Sequence, residues 1–339
     1  MSTCVPDTCY FASSEFLSLA LHCMSVIEIP IHFFGAYIII FHTPLTMSSV
    51  KWPMLNLHFW SSFLDISIST LTIPYLLFPA IAGYPLGVLS MFPSTVGAQC
   101  HFIVTLIGLV AVSILMVYEN RFYLIIREDT FWKRFRFYYM TISYFLATFF
   151  MFPFSLVVPE QKSAVRTVFE RLPCLPQYVY EGPVFVYTLD VTPVFITIII
   201  LLFLVIGGIV IFITKTISHL LQTTRKNSLS KKTMNIQKKF LFGLVIQTTI
   251  PVLVVLCPIG YLVVTLPKGY YNQVANNFLV ITMSFHGVLS TVAMLLMHKA
   301  YRTAAFDVLI PCCNRNVSDD TVKTTMVQMK KFNGKVDCA

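Results

Sequence analysis

The sequence predicts an all-α membrane protein: a bundle of seven transmembrane helices, N-terminus outside the cell and C-terminus in the cytosol. Three observations carry that expectation. Hydrophobic residues make up 56% of the 339 and charged residues only 12%, about half the charged share of an ordinary soluble chain. Seven predominantly apolar stretches are long enough to cross a hydrocarbon core of roughly 30 Å as helix. Lysines and arginines between them divide 20 to 4 in favour of one side, and the richer side marks the cytosol.

The stretches fall near residues 17–41, 54–78, 101–123, 137–158, 191–214, 240–266 and 278–298. Residues 1–16 are then an extracellular N-terminus, 17–298 the membrane domain and 299–339 a cytosolic tail. The N-terminal "MSTCVPDTCYFASSEF" holds no Lys or Arg, so it lacks the basic segment of a cleavable signal peptide, and the first span is expected to direct its own insertion. Between the second and third spans, "PAIAGYPLGVLSMFPSTVGAQC" is uncharged but holds three prolines and three glycines. Backbone groups freed by such breaks have no partners in lipid, so the segment is expected to be a loop folded back onto the bundle. Counting it as a span would move 19 of the 20 clustered basic residues to the outer face.

The net charge of +9 is explained by those one-sided loops, and no nucleic acid is expected as a partner. The partner expected on these grounds is membrane lipid. Nine cysteines form no CxxC pair and no zinc spacing; neither a metal nor a cofactor is expected. No nucleophile or phosphate-loop constellation is present, which argues against an enzyme. A transporter would show internal repeats and a channel a ring of charge or a filter. Neither is evident, although a ligand-gated channel or transporter of seven spans is the alternative reading.

Polar residues inside apolar spans are expensive and face the bundle interior. Asp65 lies midway along the second span, with Ser113, His286 and Ser290 as potential partners at similar depth. Glu28 and His32, four apart in the first span, share a helix face and are expected to pair. Pro30, Pro74, Pro153, Pro193, Pro251 and Pro258 interrupt the spans. Pro74 is expected to kink the second, and "CPIGY" at 257–261 to hinge the sixth.

The third span ends in "ENRFY", an acid two residues from a base after more than fifty uncharged positions. Arg121 lies where the span reaches the cytosol, so its guanidinium can reach the headgroup layer. Snorkelling alone leaves Glu119 and Asn120 unexplained, and a polar lock at the inner mouth of the bundle is expected there.

Together "SVKWPMLNLHFWSSFLD", "IPYLLFPAIAGYPLGVL", "SILMVYENRFY", "RLPCLP" and "HGVLSTVAMLLMHKAYR" resemble the nematode chemosensory receptors called serpentine receptor class H. The likeness runs from about Glu15 to Tyr301. It implies a G-protein-coupled receptor of sensory neurons that detects environmental small molecules and signals through a heterotrimeric G protein. By the same resemblance Glu119, Asn120, Arg121 and Tyr123 look like the acid-Arg-Tyr switch closing the third helix of rhodopsin-like receptors. Two departures stand out: Asn120 separates the acid from the base, and the seventh span lacks Asn-Pro-x-x-Tyr.

Cys100 and Cys174 both fall on the oxidising side, where disulfides persist, and rhodopsin-like receptors have an analogous bond. Their pairing is expected to pin the largest outer loop, with Cys4 and Cys9 as rival partners. Tyr75, Phe78, Phe102, Phe185, Tyr187, Tyr261 and Phe278 are candidate walls of a pocket between the outer helix halves. So few charges lie at that depth that the ligand is expected to be neutral and partly apolar. After the seventh span, "YRTAAFDVLIPCC" suits a short helix on the membrane surface, with Cys312 and Cys313 as candidate palmitoylation sites.

Overall fold

The computed structural model describes residues 9–92, 96–125, 130–172, 175–225 and 231–310. Cys4, Cys174, Cys312 and Cys313 lie outside the described residues. Among the described residues, six helical segments are long and apolar enough to cross a membrane. A further helix with a broken outer end supplies the second position in the bundle.

Helix α1 (Ser14–His42) is capped by Ser13, whose hydroxyl accepts from the Phe16 amide, and it carries Pro30 inside. Helix α2 (Ser48–Ile66) runs on as a π-helical turn, Ser67–Thr72, and stops there. The expected span to residue 78 is therefore shortened, and Pro74 does not kink a helix. The reason is local: a residue before proline is pushed out of helical backbone. Ile73 takes φ 41, a left-handed conformation that is costly for a β-branched side chain, and Pro74 opens a strand instead.

That strand, β1 (Pro74–Leu76), pairs antiparallel with β2 (Ile81–Pro85), Tyr75 opposite Tyr84. The proline- and glycine-rich segment is thus a loop folded onto the end of the bundle as a hairpin, with its polar backbone satisfied by a ladder. A Cβ at Gly83 would collide with the Tyr75 carbonyl oxygen, which is why a residue without one stands there.

Helix α3 (Val96–Ile125) is the central helix, packed against α2, α4 (Thr130–Phe149) and α8 (Thr192–Arg225). The fourth segment breaks after Phe149 and resumes as the single turn α5 (Phe152–Ser155), with Pro153 in its first turn, where a missing N–H costs nothing. The outer loop folds into α6 (Gln161–Arg171), α7 (Gln177–Glu181) and β3 (Phe185–Thr188). Strand β3 adds to β2, completing a three-stranded antiparallel sheet in the order β1-β2-β3. Its free edge is covered by one side chain: Gln161 Nε2 donates to the Val186 carbonyl at 3.1 Å and Gln161 Oε1 accepts from the Val186 amide at 2.9 Å.

Helix α9 (Lys231–Thr265) contains Pro251 and Pro258. The seventh segment is divided at Phe285 into α10 (Gln273–Ser284) and α11 (His286–Met297). Helix α12 (Lys299–Leu309) follows, anchored by the fully buried Tyr301. Large apolar side chains such as Ile200, Phe203, Leu204 and Phe242 are exposed on the outside of the bundle. This is the surface of a multi-pass membrane protein, where such residues meet lipid.

Candidate functional site

Three places in the bundle gather the residues singled out above. The deepest lies where α1, α2 and α11 meet. Asp65 is fully buried; its Oδ2 accepts the Val288 amide at 3.0 Å and its Oδ1 lies 2.7 Å from His286 Nδ1. Val288 is in the first turn of α11, whose opening amides have no partner within the helix. Asp65 thus caps α11 from a neighbouring helix, with the sign of charge that a helix N-terminus favours. Gly287 makes the approach possible, since a Cβ there would stand 2.6 Å from Asp65 Oδ2.

His32 Nε2 lies 3.3 Å from the same Oδ2. The expected Glu28–His32 pair does not form. Glu28 turns to Ser69 of the π-helical turn, which donates to its Oε2 at 2.7 Å, so each partner has been drawn to α2. His58 joins the cluster, its Nε2 2.8 Å from the His32 carbonyl and its Nδ1 3.3 Å from Thr291 Oγ1. His58 is a member of the cluster that the sequence analysis does not single out. Its spacing of seven residues from Asp65, two helical turns, was the available signal.

Ser113 and Ser290 belong to other contacts. Asn56 Nδ2 donates to Ser113 Oγ at 3.0 Å and to Tyr144 Oη at 2.6 Å, tying α2, α3 and α4 together. Ser290 donates to the Gln247 carbonyl at 3.4 Å.

The second place is "ENRFY". Glu119 is fully buried, and Arg136 Nη2 of α4 donates to its Oε2 at 2.8 Å while Trp132 Nε1 donates to its Oε1 at 2.9 Å. The Arg136 guanidinium lies 4.0 Å from the centre of the Tyr123 ring. Asn120 donates to the Ser49 carbonyl at 3.0 Å. Arg121 is on the other side of α3, stacked 4.4 Å from the Phe240 ring of α9. Residues two apart on a helix do not face each other, so the inserted Asn sends the acid to α4 and the base to α9.

The third place is a cavity of about 310 Å³ under the sheet, between α3, α8, α9 and α10. Its wall is built by Phe78, Phe185 and Tyr187 together with Ile103, Val104 and Leu201, and among the described residues no charged side chain lines it. Phe185 and Tyr187, two apart on β3, share one face of the strand. Burial pushes the Tyr84 and Tyr187 phenols above their ordinary pKa, so both wall tyrosines stay neutral. Four expected wall residues lie elsewhere. Tyr75 is buried in the sheet's support, its hydroxyl donating to the Ala12 carbonyl at 2.8 Å. Phe102 packs on Phe63, Tyr261 reaches the Asn272 carbonyl, and Phe278 packs at a tilt against Phe11 and Phe16.

Cys100 stands in the wall of this cavity as a half-buried free thiol. The expected bridge to Cys174 therefore finds no support at Cys100. In α3 it packs beside Phe185 and Tyr187 of the outer loop's strand, and its expected partner Cys174 lies outside the described residues.

The sequence matches the family model described as "Serpentine type 7TM GPCR chemoreceptor Srh" over residues 12–311. The chain belongs to the Srh family of serpentine chemoreceptors. It is also 27% identical to serpentine receptor class H-72 of Caenorhabditis elegans, over 97% of this chain and 95% of the relative. The match spans the whole bundle, so the three places described above all lie within the Srh domain. The family is one of serpentine chemoreceptors, which supports a chemoreceptor role for this chain.

Proposed function

We propose that this Srh receptor holds a small, neutral, largely apolar molecule in the cavity beneath the sheet and relays its presence to a heterotrimeric G protein. The observation that carries the reading is the cavity itself: about 310 Å³, walled by aliphatic and aromatic side chains with no charge among them. Ligand sites are concave, mostly apolar and supplied with few polar groups. The N-terminus is outside, where the sheet shelters the cavity, and the α3 end bearing "ENRFY" faces the cytosol.

At that inner end Arg121 is the switch residue. It rests on Phe240 of α9, so a displacement of α9 would release it into a cleft suited to a helix of the transducer. Glu119, held by Arg136 and Trp132, keeps α4 fixed to α3 while α9 moves. The basic inner loop favours the anionic leaflet, and a sensory-neuron membrane is the expected setting.

Expression in cells with defined G proteins, with odorants applied while second messengers and current are recorded, tests the reading. A second-messenger response abolished by G-protein blockade is expected. A ligand-evoked current that persists under blockade would instead identify a channel.

A further inference from the structure

Below the main cavity lies a smaller one of about 50 Å³. The two share Ile107, Ala111, Leu202, Val205, Val255 and Met283 as walls, so they adjoin. The smaller space is bounded by aliphatic side chains and Met283, with His286 as its one polar side chain among the described residues. It is an annex leading from the ligand cavity to the Asp65 cluster.

His286 is almost wholly buried, at 3% side-chain exposure. Its Nδ1 stands 2.7 Å from Asp65 Oδ1 and 2.8 Å from the Met283 carbonyl oxygen. Two acceptors at that nitrogen require it to carry the proton. The opposite edge of the ring, with Nε2, makes no hydrogen bond to any described residue and is the part left to the annex.

A space of this size admits water, but a buried water needs two to four polar partners, and the annex offers one side chain. A polar group tethered to an apolar body does not face that requirement, because the body is held by the main cavity. We propose that the ligand is a linear aliphatic alcohol, its chain in the main cavity and its terminal hydroxyl on His286 Nε2. This rests on the reading of the cavity as the ligand site. A hydroxyl both donates and accepts, so it matches Nε2 whether that nitrogen presents a lone pair or a proton. A carbonyl or ether matches only the second form.

The assignment also gives the ligand a path to the bundle. A bond at Nε2 polarises the ring against Asp65, and Asp65 in turn holds the first turn of α11.

The test uses the purified full chain in nanodiscs, with straight-chain primary alcohols of increasing length as probes. Each is compared with the alkane in which methyl replaces the hydroxyl. Binding is read as the shift of the melting midpoint with concentration. An optimum chain length and roughly tenfold tighter binding of the alcohol are expected, the gain of one buried hydrogen bond.

Because His286 supports α11, replacing it risks misfolding, and Ala111→Leu is the second variant. It fills the passage between the cavities without touching His286. In it the preference for the alcohol over the alkane should be lost, whatever the added side chain does to the affinity of both. Equal binding by the wild-type chain, no binding of any alcohol, or a preference that survives Ala111→Leu would each overturn the assignment. None of these bears on whether other odorants evoke a second-messenger response, so the receptor reading stands or falls separately.

Discussion

Glu119 pairs with Arg136 of the next helix, at 2.8 Å, and not with Arg121 two positions further along its own. The acid is fully buried and the base about a quarter exposed. Removing one member of such a pair strands the other charge away from water. Arg136→Met is expected to cost about 3 kcal/mol, the lower end of the range for a broken buried pair. Glu119→Gln should cost less, because its oxygen still accepts from Trp132. Melting midpoints of the two variants check the order, and equal losses would mean that the pair carries no charge-specific stabilisation.

Arg121 poses the opposite case. It has no ion pair among the described residues, and its contact with Phe240 is of a kind worth about 0.5–1 kcal/mol when partly solvated. Arg121→Ala should therefore reach the cell surface at near-normal levels, yet lose the second-messenger response. Surface labelling and signalling measured on the same cells decide it. Normal signalling at normal surface density would remove Arg121 from the switch.

Asp65 separates capping from charge. Asp65→Asn keeps an oxygen for the Val288 amide and loses the attraction to His286, whereas Asp65→Ala loses both. The alanine variant should be less stable than the asparagine variant by about 1 kcal/mol, the value of a helix cap. The asparagine variant should also alter the balance of inactive and active forms, read as a changed basal or ligand-evoked response. A well-expressed Asp65→Asn receptor with an unaltered response would leave Asp65 a structural role alone.

Gly287→Ala tests the tightness of the same junction. The added methyl would lie 2.6 Å from Asp65 Oδ2, and overpacking of this kind costs about 1–3 kcal/mol. A lower melting midpoint is expected, together with a loss of coupling between ligand and response. An unchanged midpoint would show that α11 can shift freely away from α2.

The bundle was legible because its signals are long: apolar stretches and one-sided basic loops sum over many residues. The folded-back segment was legible in kind, since prolines and glycines bar a lipid-facing helix, but the strand pairing of Tyr75 with Tyr84 was not. That pairing is local, nine residues apart, but the third strand that completes the sheet comes from a loop about a hundred residues on. Depth put His286 beside Ser113 and Ser290 as candidate partners of Asp65 without choosing among them, and the shared helix face pointed Glu28 and His32 at each other. Only the structure places α2 close enough to take both. The aromatic walls divided for the same reason: Phe185 and Tyr187 face the cavity by strand alternation, but Tyr75 is turned inward by a hydroxyl that has found the Ala12 carbonyl.

Strand β3 has one consequence for how such receptors diversify. Its place is held by main-chain bonds to β2 and by the Gln161 amide, none of which depends on what occupies positions 185 and 187. The Phe185 side chain projects from that frame into the cavity, whereas Tyr187 also ties its hydroxyl to Ser155 and Met151. On the proposed reading, position 185 is therefore where the shape of the cavity can change with least disturbance to the backbone that carries it.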